Sequence, residues 1–144
     1  MKYTCDIDIS LPRDRVSELF QDPSRISEWQ DSFVSMKLVS GEAGQAGNVH
    51  ELVHKMGKRD MVMIETIKEN SMPARFVATY ESGGVWNLME NDFTENPDGS
   101  THWHIDCEFQ CSGFIKIMMW VAPFMFKKQT NKMMSDFKAF AESA

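Results

Sequence analysis

The sequence predicts an α+β fold in which a long C-terminal helix lies on a curved antiparallel sheet of about seven strands. The helix is indicated by a stripe of residues at steps of four and three, namely Phe126, Thr130, Met133, Phe137 and Phe140. Most of the chain before this stripe has the pattern of β-strands joined by short turns, which makes neighbouring strands antiparallel. A sheet is therefore the surface on which the apolar side of the helix can be buried.

The chain begins with one strand and two short helices. The first strand alternates apolar with polar residues, and its apolar positions are Tyr3, Cys5, Ile7 and Ile9. Pro12 suits the first turn of a helix, and Asp22-Pro23 combines a good N-cap with a proline at the first helical position. The second short helix carries Trp29 at the end of its apolar side.

Six further strands follow. Their predicted ranges are Phe33–Ser40, Val49–Met56, Arg59–Ile67, Phe76–Ser82, Val85–Thr94 and Thr101–Cys111. Two-residue turns at Gly57-Lys58 and Gly83-Gly84 predict hairpins, and a hairpin turn fixes which residues face each other. The opposed pairs expected on one face are His50 with Glu65, Leu52 with Met63, His54 with Met61, Tyr80 with Asn87, Ala78 with Met89, and Phe76 with Asn91.

We expect this face to point inward, because the other face of the first hairpin carries Lys55 against Asp60, a pair that belongs in water. In the last strand Trp103 and Ile105 alternate with His102 and His104, so its buried side is plain. The two histidines are then surface residues, and no third ligand is spaced to complete a metal site with them.

The run from Phe114 to Phe126 is apolar nearly all round and contains Pro123. It is shorter than the roughly 20 apolar residues of a membrane-spanning helix. Pro123 either kinks one long helix or opens the long helix at its first position. The residues around this bend, which include Met118, Trp120 and Phe124, are either core or the flexible rim of a ligand cavity.

Composition limits the classes of function. The chain has 144 residues, three cysteines and a net charge of −6, and it is expected to form one domain over residues 1–144. An acidic chain lacks the basic footprint of nucleic-acid binding. The N-terminus has no apolar core of a signal peptide, and the odd number of cysteines fits reduced thiols, so we expect a cytoplasmic protein without an integral membrane segment. No phosphate loop or dinucleotide motif predicts a cofactor.

Several local strings resemble the SRPBCC superfamily, which includes START-like lipid-transfer domains, Bet v 1-like (birch-pollen-allergen-like) proteins and the polyketide cyclase/dehydrase group. They are Asp6 to Pro12 before a helix, Asp22-Pro23 with Trp29, Ser40-Gly41 with Gly44 and Gly47, Met72-Pro73, and Gly99 to Thr101. The resemblance covers nearly the whole chain. It implies the helix-grip architecture, β-α-α-β6-α, with a cavity between the sheet and the helix. It does not fix the chemistry, because this fold hosts carriers, receptors and cyclases.

We interpret the chain first as a binding module, or a carrier, for a small hydrophobic molecule such as a lipid, sterol or polyketide-like compound. Ligand sites combine a dry wall with a few polar anchors. The expected site residues are Trp29, Leu52, His54, Met63, Tyr80, Asn87, Met89, Asn91, Trp103, Ile105, Met118 and Phe124, with His50 and Glu65 as further polar anchors.

Two alternatives remain open at this stage. In a polyketide cyclase or dehydratase, His50 and Glu65 would be the catalytic acid and base, since opposed residues on adjacent strands are within reach of each other. In a protein-interaction module, the outer face of the sheet or the helix with Lys127, Lys128 and Lys132 would contact a partner. The exposed strand edges could also support a homodimer.

Overall fold

The computed structural model describes residues 1–144. One antiparallel sheet contains all seven strands: β1 (Lys2–Ile9), β2 (Phe33–Ser40), β3 (Val49–Met56), β4 (Arg59–Ser71), β5 (Arg75–Ser82), β6 (Val85–Glu95) and β7 (Thr101–Cys111). The strands lie in the order β1-β7-β6-β5-β4-β3-β2, so that β1 and β2 are the edges. The helical elements are α1 (Arg13–Phe20), a 3-10 helix (Pro23–Glu28), α2 (Gly113–Val121) and α3 (Phe124–Glu142).

The two hairpins have the registers that the turns predict. Met56 pairs with Arg59 around the first turn, and Ser82 pairs with Val85 around the second. Gly83 and Gly84 have φ angles of 48° and 83°. Two consecutive residues with positive φ make the type I′ turn that matches the twist of a hairpin, and glycine adopts this conformation without steric cost.

Strand β4 is longer than predicted and ends at Ser71. Its pairing with β5 continues through a register shift between Ile67 and Glu69. Such a bulge inserts an extra residue without ending the strand. The polar residues after Ile67 therefore stay in the sheet, although their pattern no longer alternates.

The structure distinguishes the two alternatives for Pro123, a kink within one long helix or the start of the long helix. Ala122 has φ −135° and ψ 59°, outside the helical region, and separates α2 from α3. Pro123 causes this break because a proline disfavours helical geometry in the residue before it. The result agrees with the alternative in which Pro123 opens the long helix. None of the helices combines the length and the apolar character that crossing a membrane requires.

Helix α3 lies along the edge strand β1. Near its start, the Tyr3 hydroxyl donates to the carbonyl oxygen of Phe126 at 3.1 Å and is 2.7 Å from Oγ1 of Thr130. At its end, the backbone N–H of Ser10 donates to Glu142 at 2.9 Å. The buried residues of the helix include Thr130, Phe137 and Phe140 as predicted, together with Met134, whereas Met133 is only partly buried.

The core fills the space between α1, α3 and strands β6 and β7. Phe137 lies at its centre, with ring centroids 4.9 Å from Trp29 and 5.3 Å from Trp103. Phe20 packs edge-on against Trp103 and Phe137. Trp103 and Phe137 are both 0 % exposed. This aromatic cluster covers one end of the inward-facing side of the sheet, which we call the concave face.

Candidate functional site

Four polar side chains follow one another across the concave face on neighbouring strands. His50 on β3 pairs with Glu65 on β4, Glu65 pairs with Tyr80 on β5, and Tyr80 pairs with Asn87 on β6. We call these four residues the polar row. The hairpin turns predict the first and last of these pairings, whereas the pairing of Glu65 with Tyr80 joins the two halves and appears only in the structure.

The polar row lies between apolar residues of the same face, because positions two residues apart on a strand share a face. Leu52 and Met63, which are paired, lie on one side of it. Ile67, Ala78 and Met89 lie on the other side, where Ala78 pairs with both neighbours. Four hydrogen-bonding groups are thus held in a line, with apolar residues of the same face on either side.

His50 and Glu65 form a hydrogen-bonded pair. Their Nδ1 and Oε1 atoms are 3.2 Å apart, and the two side chains are 7 % and 13 % exposed. Asn48 approaches the other ring nitrogen of His50, with Nδ2 3.4 Å from Nε2. When Asn48 donates to Nε2, the imidazole is neutral and its Nδ1–H donates to Glu65. The pair is therefore arranged to hold or transfer a proton away from bulk water.

Asn48 follows the glycine-rich loop, where no sequence pattern predicts a site residue. It is 0 % exposed, and its Oδ1 atom is buried without a hydrogen-bond partner. Gly41 packs directly over it, since a Cβ at Gly41 would lie 2.9 Å from the Asn48 Cα atom. Asn48 thus extends the polar row by one group, through His50.

Tyr80 contributes a hydrogen-bond donor to the row. Burial, and after it the negative charge of Glu65, raise the pKa of Tyr80 well above its usual value of 10.0. The phenol therefore keeps its proton at neutral pH. Asn87 uses its amide nitrogen to donate to the carbonyl oxygen of Glu108 at 3.0 Å, which fixes the orientation of its side chain toward β7.

Asn91 has a structural environment. Its Oδ1 atom accepts the indole N–H of Trp103 at 3.0 Å, and its Nδ2 donates to the carbonyl oxygen of Phe76 at 3.1 Å. Of the two alternatives for an inward-facing amide, partner within the protein or partner in a ligand, Asn91 shows the first. Its hydrogen-bonding groups are engaged by the core.

The structure separates the expected wall residues into three groups. The first group lies on the concave face, within the polar row (Tyr80) or near it (Leu52, His54, Met63 and Met89). Trp29, Trp103 and Ile105 are 6 %, 0 % and 0 % exposed within the packed core, because Phe137 of α3 fills the space in front of them. They offer no free surface to a guest, and we leave them out of the candidate site.

Met118 and Phe124 form the third group and are 38 % and 68 % exposed. Both lie beside the break before Pro123 and are exposed to solvent, so neither belongs to the packed core. Trp120, for which the sequence allowed a place in the core, is 86 % exposed. The interpretation of this segment as core is therefore wrong.

The concave face is covered unequally. At the β7 end, under the aromatic cluster, side chains are completely buried. Near the polar row, Met61, Met63, Tyr80 and Met89 remain partly exposed although they point toward the interior. Two depressions of about 450 and 650 Å³ lie elsewhere, along β1, β6 and β7 and around Gly83-Gly84, and bring together no comparable set of groups.

Comparison with known proteins places the chain in a family. The family described as polyketide cyclase / dehydrase and lipid transport matches residues 1–142. The chain belongs to this family. No match was found among curated proteins.

Solved structures match over the whole length of this polyketide cyclase/dehydrase family member. A conserved protein from Geobacillus kaustophilus has a TM-score of 0.81 at 13% identity, with 99% of this chain and 96% of that chain covered. Ara h 8.0201 has a TM-score of 0.79 at 12% identity, with 100% and 99% covered. TTHA0849 from Thermus thermophilus has a TM-score of 0.78 at 12% identity, with 99% and 98% covered. These likenesses confirm the helix-grip fold.

On the outer face, this family member carries a histidine–aspartate ladder between β1 and β7. His102 has Nδ1 2.9 Å from Asp8 and Nε2 2.8 Å from Asp6. His104 has Nδ1 2.7 Å from the same Asp6 oxygen. The histidines lie on the exposed face, as the alternation predicts. No group of three or more His, Cys, Asp or Glu side chains is arranged to hold a metal ion.

We predict that His102 and His104 titrate above 6.5, the ordinary pKa of histidine. Hydrogen bonds to Asp8 and then Asp6 raise the pKa of His102, and the bond to Asp6 raises that of His104. Desolvation lowers the pKa of His54, which should titrate below 6.5. A ¹H–¹⁵N NMR titration measures all three. Asp8→Asn should lower the midpoint of His102 and leave His54 unchanged, and a wild-type His102 midpoint at or below that of His54 would contradict the prediction.

The pH range in which the ladder stabilises β1 follows from these directions. The histidine contribution is complete below the unfolded pKa and is lost as pH rises through the raised folded pKa. Hydrogen bonds from the histidines lower the pKa values of Asp6 and Asp8, so their contribution is lost as pH falls through the lowered folded pKa. The ladder therefore acts most strongly between about pH 4 and 6.5.

Proposed function

We propose that this protein binds a small, mostly apolar molecule that carries oxygen atoms, such as a lipid, a sterol or a polyketide-like compound, against the concave face of the sheet. The observation that carries the proposal is the polar row, a line of four hydrogen-bonding groups with apolar residues of the same face on either side. Burying polar groups is costly unless they gain partners. Ligand sites use the same combination of an apolar wall with a few convergent polar groups.

The members of the row differ in the hydrogen-bonding roles that they can play. Tyr80 is a donor, since a phenol is protonated at neutral pH and burial raises its pKa further. Glu65 is an acceptor, and its Oε1 is oriented by Nδ1 of His50, whose other ring nitrogen is engaged by Asn48. The Nδ2 atom of Asn87 is engaged by β7, so its carbonyl oxygen is the atom left for a ligand. A guest with hydroxyl or carbonyl groups matches this set.

Methionines surround the row and make the site adaptable. Met63 and Met89 flank it on either side, and Met61, two residues before Met63, lies on the same face. A methionine side chain is flexible and polarizable, so it can move aside for guests of varied shape. This supports a binding site for an apolar molecule, in agreement with a family whose description includes both polyketide chemistry and lipid transport.

Native mass spectrometry and an organic extract of the purified protein test for a resident guest. Methyl NMR then measures binding of three probes: oleic acid, cholesterol and a hydroxylated anthraquinone. We expect at least one probe to shift the methyl resonances of Met63 and Met89 saturably. Met56, 61 % exposed at the β3–β4 turn, is the internal control and should not shift. The absence of any resident guest, together with no saturable shift, would refute the proposal.

A second candidate function is polyketide cyclisation or dehydration. It is favoured by the 3.2 Å contact between the His50 Nδ1 and Glu65 Oε1 atoms in a nearly buried pair. Positioned proton transfer contributes about 10²–10⁴-fold to a rate. In an enzyme, Glu65→Gln should lower turnover of a linear poly-β-ketone thioester by about 100-fold and change its affinity little. A parallel loss of affinity would identify Glu65 as a binding group only.

A further inference from the structure

Helix α2 presents its apolar side to solvent. Ile115 and Met119 point toward the body of the protein and are partly buried, and no residue of the helix is fully buried. On the opposite side, helical spacing aligns a stripe of exposed residues, namely Phe114, Ile117, Met118 and Val121, which are 72 %, 58 %, 38 % and 70 % exposed. A helix that rests on a protein normally buries its apolar residues and exposes polar ones.

The exposed apolar surface continues beyond α2. Trp120 is 86 % exposed, and Phe124 and Met125 at the start of α3 are 68 % and 50 % exposed. We call residues 114–125 the apolar segment. Large contiguous apolar patches on a protein surface mark contacts with a membrane or a partner.

The charge of this region differs from that of the rest of the chain. Residues 112–135 contain Lys116, Lys127, Lys128 and Lys132 and no Asp or Glu. They contribute +4 to a net charge of −6, so the remainder of the chain carries −10. Lys116, Lys127 and Lys128 form no ion pair, whereas Lys132 is paired with Asp136 at 2.6 Å. Unpaired positive charges thus lie within the apolar segment, at Lys116, and directly after it, at Lys127 and Lys128.

We propose that the apolar segment and its lysines dock onto an anionic lipid bilayer. Exposed aromatic and aliphatic side chains beside lysines are the composition of helices that lie in a membrane interface. A Trp side chain is favoured at that depth, because it combines an apolar ring with one polar N–H. The lysines are attracted to anionic headgroups. The rest of the chain has a net charge of −10 and is repelled by them, so the protein should dock in one orientation.

A second copy of the chain fits the same surface less well. A symmetric dimer through the apolar segment would bring two sets of unpaired lysines together. Nucleic acid fits poorly as well, because the surface consists mainly of apolar side chains. An anionic bilayer satisfies both the apolar and the cationic parts at once.

The docking surface lies at one end of the concave face. Helix α2 begins directly after β7, and the backbone N–H of Ser112 donates to Gly84 of the β5–β6 turn at 2.9 Å. Phe109, the partner of Asn87 in the polar row, precedes Ser112 by only three residues. Docking would therefore bring the part of the sheet that carries the polar row close to the lipid surface. The inference goes beyond the proposed function and does not depend on it.

Flotation of the full chain with vesicles tests the docking. Phosphatidylcholine vesicles serve as the neutral surface, and vesicles with 30 mol% phosphatidylglycerol, roughly the charge density of an anionic leaflet, serve as the anionic one. We expect binding to the anionic vesicles at low salt, weaker binding as salt rises, and a blue shift of tryptophan fluorescence. Trp120→Phe should remove most of the shift, because Trp29 and Trp103 are already buried and Trp86 is only partly exposed.

Two pairs of variants separate the apolar from the electrostatic contribution. Trp120→Ala should weaken partitioning by about tenfold or more, and its control Met56→Ala, at another exposed apolar residue, should not. Lys127→Glu with Lys128→Glu should weaken it by about 30-fold or more. The control Lys37→Glu with Lys58→Glu makes the same change in net charge at exposed positions of the sheet and should change partitioning by less than about threefold.

Circular dichroism establishes that the variants are folded, which we expect because the substituted side chains are exposed. Absence of binding to anionic vesicles at low salt would overturn the inference, and so would equal binding by wild type and both test variants. Concentration-dependent dimerisation that buries Trp120 without vesicle binding would assign the surface to a second copy. Probe binding in solution, followed at Met63 and Met89, should be unchanged in Trp120→Ala, so the two proposals fail separately.

Discussion

Replacing Phe137 by alanine is expected to lower the free energy of unfolding by about 3–5 kcal/mol. The ring is 0 % exposed and lies between Trp29 and Trp103 at centroid distances of 4.9 and 5.3 Å. Its removal leaves a cavity between two large rigid rings that cannot close around it. The aromatic cluster also helps to hold α3 against the sheet, so the loss affects the packing of the helix as well as the cavity itself.

Urea unfolding followed by circular dichroism measures this change, and the midpoint of thermal unfolding should fall by about 10 °C or more. Phe114→Ala is the matched control. Phe114 is 72 % exposed on α2, and its truncation should cost less than about 0.5 kcal/mol. Similar losses in the two variants would show that the aromatic cluster is not the main source of stability.

Converting the polar row to apolar residues is expected to separate stability from binding. In the triple variant His50→Leu, Glu65→Met and Tyr80→Phe, a buried polar pair is replaced together with its neighbour. Such replacements are often neutral or stabilising by about 1–4 kcal/mol, because the cost of removing charges from water disappears; here the loss of the acceptor of the buried Asn48 amide offsets part of this gain. Affinity for an oxygen-bearing probe should fall by about 30-fold or more, since each lost hydrogen bond contributes about 0.5–1.5 kcal/mol.

Urea unfolding and methyl NMR titration measure the two effects in the same samples. Glu65→Met alone is the informative control. It leaves His50 without its acceptor and should destabilise the protein by about 1–3 kcal/mol. A triple variant that is less stable than this single variant would show that the polar row stabilises the fold and does not serve mainly to bind a ligand.

Local signals in the sequence predicted most of the sheet. The turns at Gly57-Lys58 and Gly83-Gly84 fix two hairpin registers, and both agree with the structure. All four members of the polar row, His50, Glu65, Tyr80 and Asn87, could therefore be placed on the inward face from the sequence alone. The turn at Asn70 to Pro73 is longer, and β4 passes through a bulge before it, so the contact of Glu65 with Tyr80 could not be derived.

What covers each residue was not predictable. Alternation along β7 places Trp103 and Ile105 on the inward face correctly, but it does not tell whether a helix or a guest lies over them. That depends on how deeply α3 packs onto β1 and β7, which is decided by long-range contacts such as that of Phe137 with Trp29. The division of the expected wall into core and site residues follows from this packing alone.

Periodicity also could not show the direction in which α2 faces. The apolar run from Phe114 to Val121 fits a helix, and hydrophobic residues on a helix are normally interpreted as a buried side. The structure instead directs Ile117 and Trp120 to solvent. One indication in the sequence was the absence of acidic residues from 112 to 135 in an acidic chain.

Each member of the polar row is held by a separate strand, so hydrogen bonding within the sheet sets their intervals at about 4.8 Å. From His50 to Asn87 the row crosses three such intervals, a length of about 14 Å. A guest whose oxygens recur about 5 Å apart along its carbon skeleton could engage several members at once, whereas one with all its oxygens at one end would engage only one. Discrimination among guests would then depend on the distance between functional groups more than on molecular size.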